Sequence, residues 1–269
     1  GNMSKLLYAN FFRLWRNRLF QAGLGFMFFA GGWLVFQQYR QLTGYGAAAA
    51  LDSTFFVYTM MIGVVSAIFC SLFLNVEYSD GTVRNKVIVG HERTAVYFSN
   101  LIVNIAASFL FCLSYILANI IIGIPLIGGL TIPLRKVLLI LSGSMLTTIA
   151  LCAIFTMINM LIQSKAIAPV VCIVAMFLSV AFVSEVQRIL DEPQYYFKGT
   201  ENEAYNNAYV GGAKREMLEF IYNALPAGQE MQYSRRNTEN MDQMCLYSAW
   251  ITVITSAVGV FFFRKKDIR

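Results

Sequence analysis

In a chain with few charges, the residues able to do chemistry gather in one interval, NVEYSDGTVRNKVIVGHERTAVYFSN, at Asn75–Asn100. It carries Glu77 and Asp80 first, then Arg84, Lys86, His91, Glu92 and Arg93. Acids beside a histidine raise metal binding or acid–base catalysis, but the spacing supports neither. His91 is the sole histidine, and no cysteine lies near it in sequence, so it makes no metal site. An enzyme working within a membrane would need paired acids, a metal cluster or a nucleophile with its base at membrane depth, and none appears. The five cysteines, Cys70, Cys112, Cys152, Cys172 and Cys245, form no CxxC pair, and the first four sit inside apolar runs as small hydrophobes. No G-x-x-x-x-G-K-[ST] occurs; GYGAAAALDS and YVGGAKRE lack the spacing that cradles phosphate. The chain is expected to hold no cofactor of its own. The question is then what a polar run does between two long apolar blocks.

Composition identifies those blocks. Only 13% of the 269 residues are charged and 57% are hydrophobic, with a mean hydropathy of +0.57. Soluble domains carry about 25% charged residues. The expected class is an all-α polytopic membrane protein. Six runs approach the roughly 20 apolar residues that a bilayer crossing needs: Leu19–Phe36, Phe55–Val76, Tyr97–Ile124, Val137–Ile162, Ala168–Ser184 and Leu246–Phe263. With both termini cytoplasmic, twelve bases and four acids fall inside, against nine bases and eleven acids outside. That agrees with the positive-inside rule, with Arg135 and Lys136 on an outer turn dissenting. The net charge of +6 is therefore a topology signal, and no nucleic-acid partner is expected. Ahead of the first span, residues 1–18 hold SKLLYANFFRLWRNR. Its wheel sets Leu7, Tyr8, Phe11, Phe12, Leu14 and Trp15 on one face and Lys5, Arg13, Arg16 and Asn17 on the other. This pattern predicts an interfacial helix against inner-leaflet lipid, either an anchor or an elbow that passes on movement.

In this topology the charged run, about 77–95, is cytoplasmic. Asp80-Gly81 signals a turn, and Gly90 a helix stop. Between them Thr82, Val83, Val87 and Ile88 form an apolar stripe, with Arg84, Asn85 and Lys86 on the wet side. On composition alone this is either a solvated loop or a short amphipathic helix tied at both ends to spans. The pattern EYSDGTVRNKVIVGHERTAVYFSNLI resembles the segment between the second and third spans of type-2 ATP-binding-cassette (ABC) exporter permeases. The matching positions are Glu77, Gly81, Thr82, Arg84 and Arg93, with Asp80 beside them. The elbow, six spans and large segment before the last span agree with that family over nearly the whole chain. The resemblance implies a coupling helix that docks on a cytoplasmic ATP-binding subunit. It also implies that ATP and Mg are bound by that partner, and that a second permease copy or a related permease completes the pump.

Residues 185–245 are read as an extracellular segment, followed by the sixth span at 246–263 and a cytoplasmic tail at 264–269. In it, Met217, Leu218, Ile221, Tyr222 and Leu225 make a helical stripe that Pro226 stops, lying on the outer surface or on the outer ends of the spans. Tyr195, Tyr196, Tyr205 and Tyr209 are expected to pack a compact loop. Within the spans, charges are few; Asn104, Ser108, Ser114, Asn119, Ser142, Ser144, Thr147, Thr148, Thr156, Asn159 and Ser179 are expected to bond helix to helix. The reading is a permease subunit in a plasma membrane, not itself an enzyme, exporting an amphipathic or hydrophobic substrate such as a peptide, drug or lipid. The alternative is a membrane sensor or scaffold with a ligand-binding extracellular domain.

Overall fold

A computed structural model describes residues 2–45, 50–162, 164, 166–201 and 203–266. Lys165, Asp267 and Arg269, counted above among the inner charges, lie outside the described residues, as do residues 46–49 of GYGAAAALDS. The chain is almost wholly helical. Helix α1 (Asn2–Arg16) precedes α2 (Arg18–Tyr45). A short α3 (Asp52–Phe55) leads into α4 (Tyr58–Ser79), then α5 (Thr82–Ile88) and α6 (Arg93–Ala118). A π-helical turn at Asn119–Gly123 continues α6 into α7 (Ile124–Ile127). After α8 (Leu134–Leu161) and α9 (Ile167–Leu190) come two-residue strands β1 (Tyr195–Tyr196) and β2 (Ala204–Tyr205), then α10 (Gly212–Ala224), α11 (Pro226–Ser234) and α12 (Met241–Lys265).

Six of these helical stretches are long and apolar enough to cross a membrane: Arg18–Gly44, Asp52–Glu77, Arg93–Ile127, Leu134–Leu161, Ile167–Leu190 and Met241–Lys265. Each corresponds to one expected span and runs longer, because polar residues continue the helix past the apolar run. The first extends through Gln37, Gln38, Arg40 and Gln41, well beyond Phe36.

Polar side chains inside the bundle bond helix to helix at several of the expected positions, whereas Ser142 is exposed and bonds back to the Leu139 carbonyl of its own helix. Asn104 Nδ2 donates to Thr156 Oγ1 at 3.0 Å, and Ser66 and Ser108 hydroxyls meet at 2.8 Å. Asn159 Nδ2 donates to Ser71 Oγ at 3.2 Å and Ser114 Oγ to the Leu24 carbonyl at 2.8 Å. Such bonds hold spans together where apolar contact with a neighbouring helix is little better than contact with lipid. The cysteines are free thiols; Cys70, Cys112, Cys152 and Cys172 are buried.

The segment between the fifth and sixth long helices departs from expectation. Pro226 ends the stripe of α10 but also opens a second helix, α11, at a position where its missing N–H costs nothing. Every residue from Pro226 to Tyr233 is buried. Helix α11 runs along α8: Tyr233 packs on Gly143, the Gln229 side-chain Oε1 accepts from Thr147 Oγ1 at 2.6 Å, and Leu225, Pro226 and Ala227 share a cleft with Leu151, Ile154 and Phe155. Thr147 stands midway along α8, so the α10–α11 hairpin penetrates the bundle rather than covering its end. Two glutamines make this possible. Gln229 also accepts from Ser248 Oγ and donates to the Asn223 and Met244 carbonyls; Gln232 donates to Asn223 Oδ1 at 3.0 Å. The tyrosines of the preceding loop do not form a packed core. Tyr195, Tyr196 and Tyr205 are exposed on the small hairpin, where Tyr195 and Tyr205 meet edge to face.

Candidate functional site

Glu77 lies near the end of α4, and α5 begins five residues later. The reversal between them needs a left-handed residue, and Gly81 supplies it with φ +67°. This turn folds α5 back under α4. Val83 is buried, and Lys86 points inward with 12% of its side chain exposed. Lys86 Nζ lies 2.5 Å from Glu77 Oε1 and 2.9 Å from Asn10 Oδ1. Arg13 of α1 reaches the same Glu77 oxygen at 2.5 Å. Asn100 of α6 donates to Glu77 Oε2 at 3.0 Å, and Asn10 donates to Asn100 Oδ1 and Ser99 Oγ. One carboxylate, 1% exposed, thus joins α1, α4, α5 and α6.

The electrostatics account for the arrangement. A buried carboxylate is tolerated only when paired and hydrogen-bonded, and Glu77 has two cations and an amide. Burial lowers the Arg13 guanidinium while Glu77 opposes that shift, and the group stays protonated. Arg13 Nε and Nη2 have no hydrogen-bond partner among the described residues, but the guanidinium lies 3.9 Å from the centre of the Phe73 ring. That cation–π contact offsets part of the missing hydrogen bonding.

The sequence-derived residues divide into three groups. Glu77 is the centre of the network and Gly81 its hinge. Asp80 is exposed at the turn and adds a favourable field at Arg13. Thr82 is half-buried and opens α5; Arg84 is exposed on it. Arg93 belongs elsewhere: it donates to the carbonyls of Phe263 and Arg264 at 3.2 and 3.0 Å, and also to that of Lys266. It therefore holds the end of α12 to the start of α6.

Three expectations are corrected. Lys86 was assigned to a wet side and Arg13 to a polar face toward anionic headgroups, yet both turn inward to Glu77. In α1, Leu14 was placed on the lipid-facing apolar side but is buried together with Leu6 and Asn10, while Tyr8, Phe12 and Trp15 are exposed. In α5, Ile88 was placed on the inner stripe but is 69% exposed, and with exposed Val89 it forms an apolar tip beside Arg84. Sequence reasoning missed Asn10 and Asn100 altogether. The available signal was an asparagine at i−3 from Arg13 on one helix and another at the start of a span. Among the described residues no group of His, Cys, Asp and Glu could hold a metal ion.

A family model described as ABC-2 family transporter protein matches residues 6–182, about two thirds of the chain. No curated protein matches it. The matched region contains α1 from Leu6 onward, the first five long helices up to Phe182, α5 and the whole Glu77 network.

Proposed function

Because the chain belongs to the ABC-2 family of transporter proteins, and is thus a multi-pass membrane transport subunit, we propose that it is the permease of an ATP-driven exporter, and that α5 is the lever through which a separate ATP-binding subunit drives it. The observation that carries this reading is the Glu77 network. A short helix with an exposed apolar tip is bonded through one buried carboxylate to α1, α4 and α6. Displacement of the Ile88–Val89 tip pulls on Lys86, and Lys86 is bonded to both Glu77 and Asn10. The motion is then delivered to two long helices at once, and tilting of packed helices is how such bundles exchange one opening for another.

In this reading both termini and α5 face the cytoplasm, and the hairpin and 191–211 loop face outward from a plasma membrane. ATP and Mg belong to the partner subunit. A second copy of this chain, or a related permease, completes the path, and lipid covers the exposed aromatic face of α1. The apolar character of the spans suits amphipathic or hydrophobic cargo such as a peptide, drug or lipid. Reconstitution with the neighbouring ATP-binding subunit tests the proposal. ATP-driven transport that survives Gly81→Val, at wild-type levels and in a normally inserted protein, overturns it.

A further inference from the structure

Helix α11 brings a carboxylic acid into a bundle whose long helices have none at that level. Glu230 is 3% exposed, and its backbone carbonyl accepts from Thr59 Oγ1 at 2.8 Å. Neither carboxyl oxygen has a hydrogen-bond partner among the described residues. The backbone N–H of Gly63 approaches the carboxyl without completing a hydrogen bond. Glycine at 63 makes the seat: an added Cβ would fall 2.8 and 2.9 Å from the two carboxyl oxygens and 2.2 Å from the Met176 methyl.

The surroundings hold no base for this acid. Helix α4 contributes Tyr58, bonded to Ser144, and carries no Asp, Glu, Lys or Arg between residues 58 and 76. Helix α8 has none from 137 to 161 and α9 none from 167 to 184; their titratable groups there are the thiols of Cys152 and Cys172. Cys112 of α6 is within electrostatic reach. Tyr222 of α10 and Tyr233 of α11 itself are neutral phenols. The bases on these elements stand at their far ends, exposed or half-exposed: Arg135, Lys136, Arg188, Lys214, Arg215, Arg235 and Arg236, of which Arg188 pairs with Glu185, Arg215 with Glu219 and Arg235 with Asp191. A carboxylate held this way would be an uncompensated buried charge. A metal ion needs several oxygen ligands, and Gly63 and Met176 leave no space for them. A proton needs neither ligands nor space.

We propose that Glu230 is a proton-binding site, and that α11 seats against α4, α8 and α9 only when this carboxyl carries its proton. Unseating exposes the acid to water, where it ionises in the ordinary carboxylate range. The unseated form therefore binds fewer protons than the seated one, and seating weakens as pH rises above that range. One proton released per hairpin changes the equilibrium about tenfold per pH unit, until the seated acid itself ionises.

Amide hydrogen exchange on the purified chain in lipid nanodiscs tests this without any partner subunit, so its outcome is separable from the transport reading. Protection of residues 225–234, corrected for intrinsic exchange, is expected to fall about tenfold per unit between about pH 6 and about pH 8.5, while α1 stays unchanged. In Glu230→Gln the slope is expected to vanish, and in Tyr233→Phe and Cys112→Ser to persist. A flat wild-type profile overturns the proposal even if Glu230→Gln fails to fold. So does a slope retained in Glu230→Gln or lost in Tyr233→Phe.

Discussion

Glu77→Gln isolates the charge at the centre of the network while keeping its size. Glu77 Oε1 lies 2.5 Å from both Arg13 and Lys86, so the variant leaves two cations facing one another with no anion between them. Removing one partner from a buried ion pair costs about 3–5 kcal/mol. Arg13 and Lys86 retain 27% and 12% side-chain exposure, so each can tilt partly into water, and the expected loss is about 2–4 kcal/mol. At about 2–4 °C per kcal/mol, the melting temperature in nanodiscs should fall by roughly 4–16 °C. Adding Lys86→Met removes one orphaned cation and should recover about half of that loss, since residues in one network couple by about 0.5–3 kcal/mol. ATP-driven transport in the reconstituted complex should fall in both variants, because the double variant regains stability but not the link from α5 to α4. A single variant melting within about 1 °C of wild type refutes the reasoning. So does a double variant as unstable as the single one.

Ile88→Asp or Val89→Asp should reduce copurification of the ATP-binding subunit at least severalfold with an unchanged melting temperature, since neither side chain is buried in this chain. Arg93→Ala removes a charged donor from three carbonyls at the end of α12 and should cost about 1–3 kcal/mol locally; hydrogen exchange over residues 260–266 should rise while that over α11 does not. Lys214→Cys should react with an impermeant thiol reagent applied to intact cells, and labelling only after lysis would reverse the proposed orientation.

The six long helices were legible because an apolar run of that length has few alternatives to crossing a membrane. Their ends were not, since residues such as Arg18 and Gln38 are good helix formers whose polarity masks the continuation. The existence of α1 and the exposure of its aromatic residues were legible, but the residues it turns to the bundle were not. Tyr8, Phe12 and Trp15 were placed toward lipid and stand exposed, whereas Leu14, placed with them, is buried; in a membrane protein, aromatic side chains gain as much from lipid as from a neighbouring helix. What must be satisfied internally is polar, and so Asn10 and Arg13 face Glu77. Helix α11 was illegible for the same reason. PAGQEMQYS has the composition of a surface loop, and bonds that no local pattern announces, from Gln229 to Thr147 and from Thr59 to the Glu230 carbonyl, let it lie within the bundle. At the candidate site Gly81 was readable from its turn and Glu77 from the family resemblance, whereas Arg93, grouped with them by that same resemblance, bonds a different junction.

The Glu77 network also bears on how the chain is made. Its members run from Asn10 to Asn100, so Arg13 leaves the ribosome well before the asparagine that completes the network. At about 5–20 residues per second, roughly 5–20 s pass between the first of these residues leaving the ribosome and the last. Through that interval α1 has nothing at residues 99 and 100 to dock on, and for about the last 1–5 s of it Glu77 stands at the end of its helix without its full complement of donors. A chain whose third long helix is delayed or misinserted therefore displays charged groups that the finished protein hides.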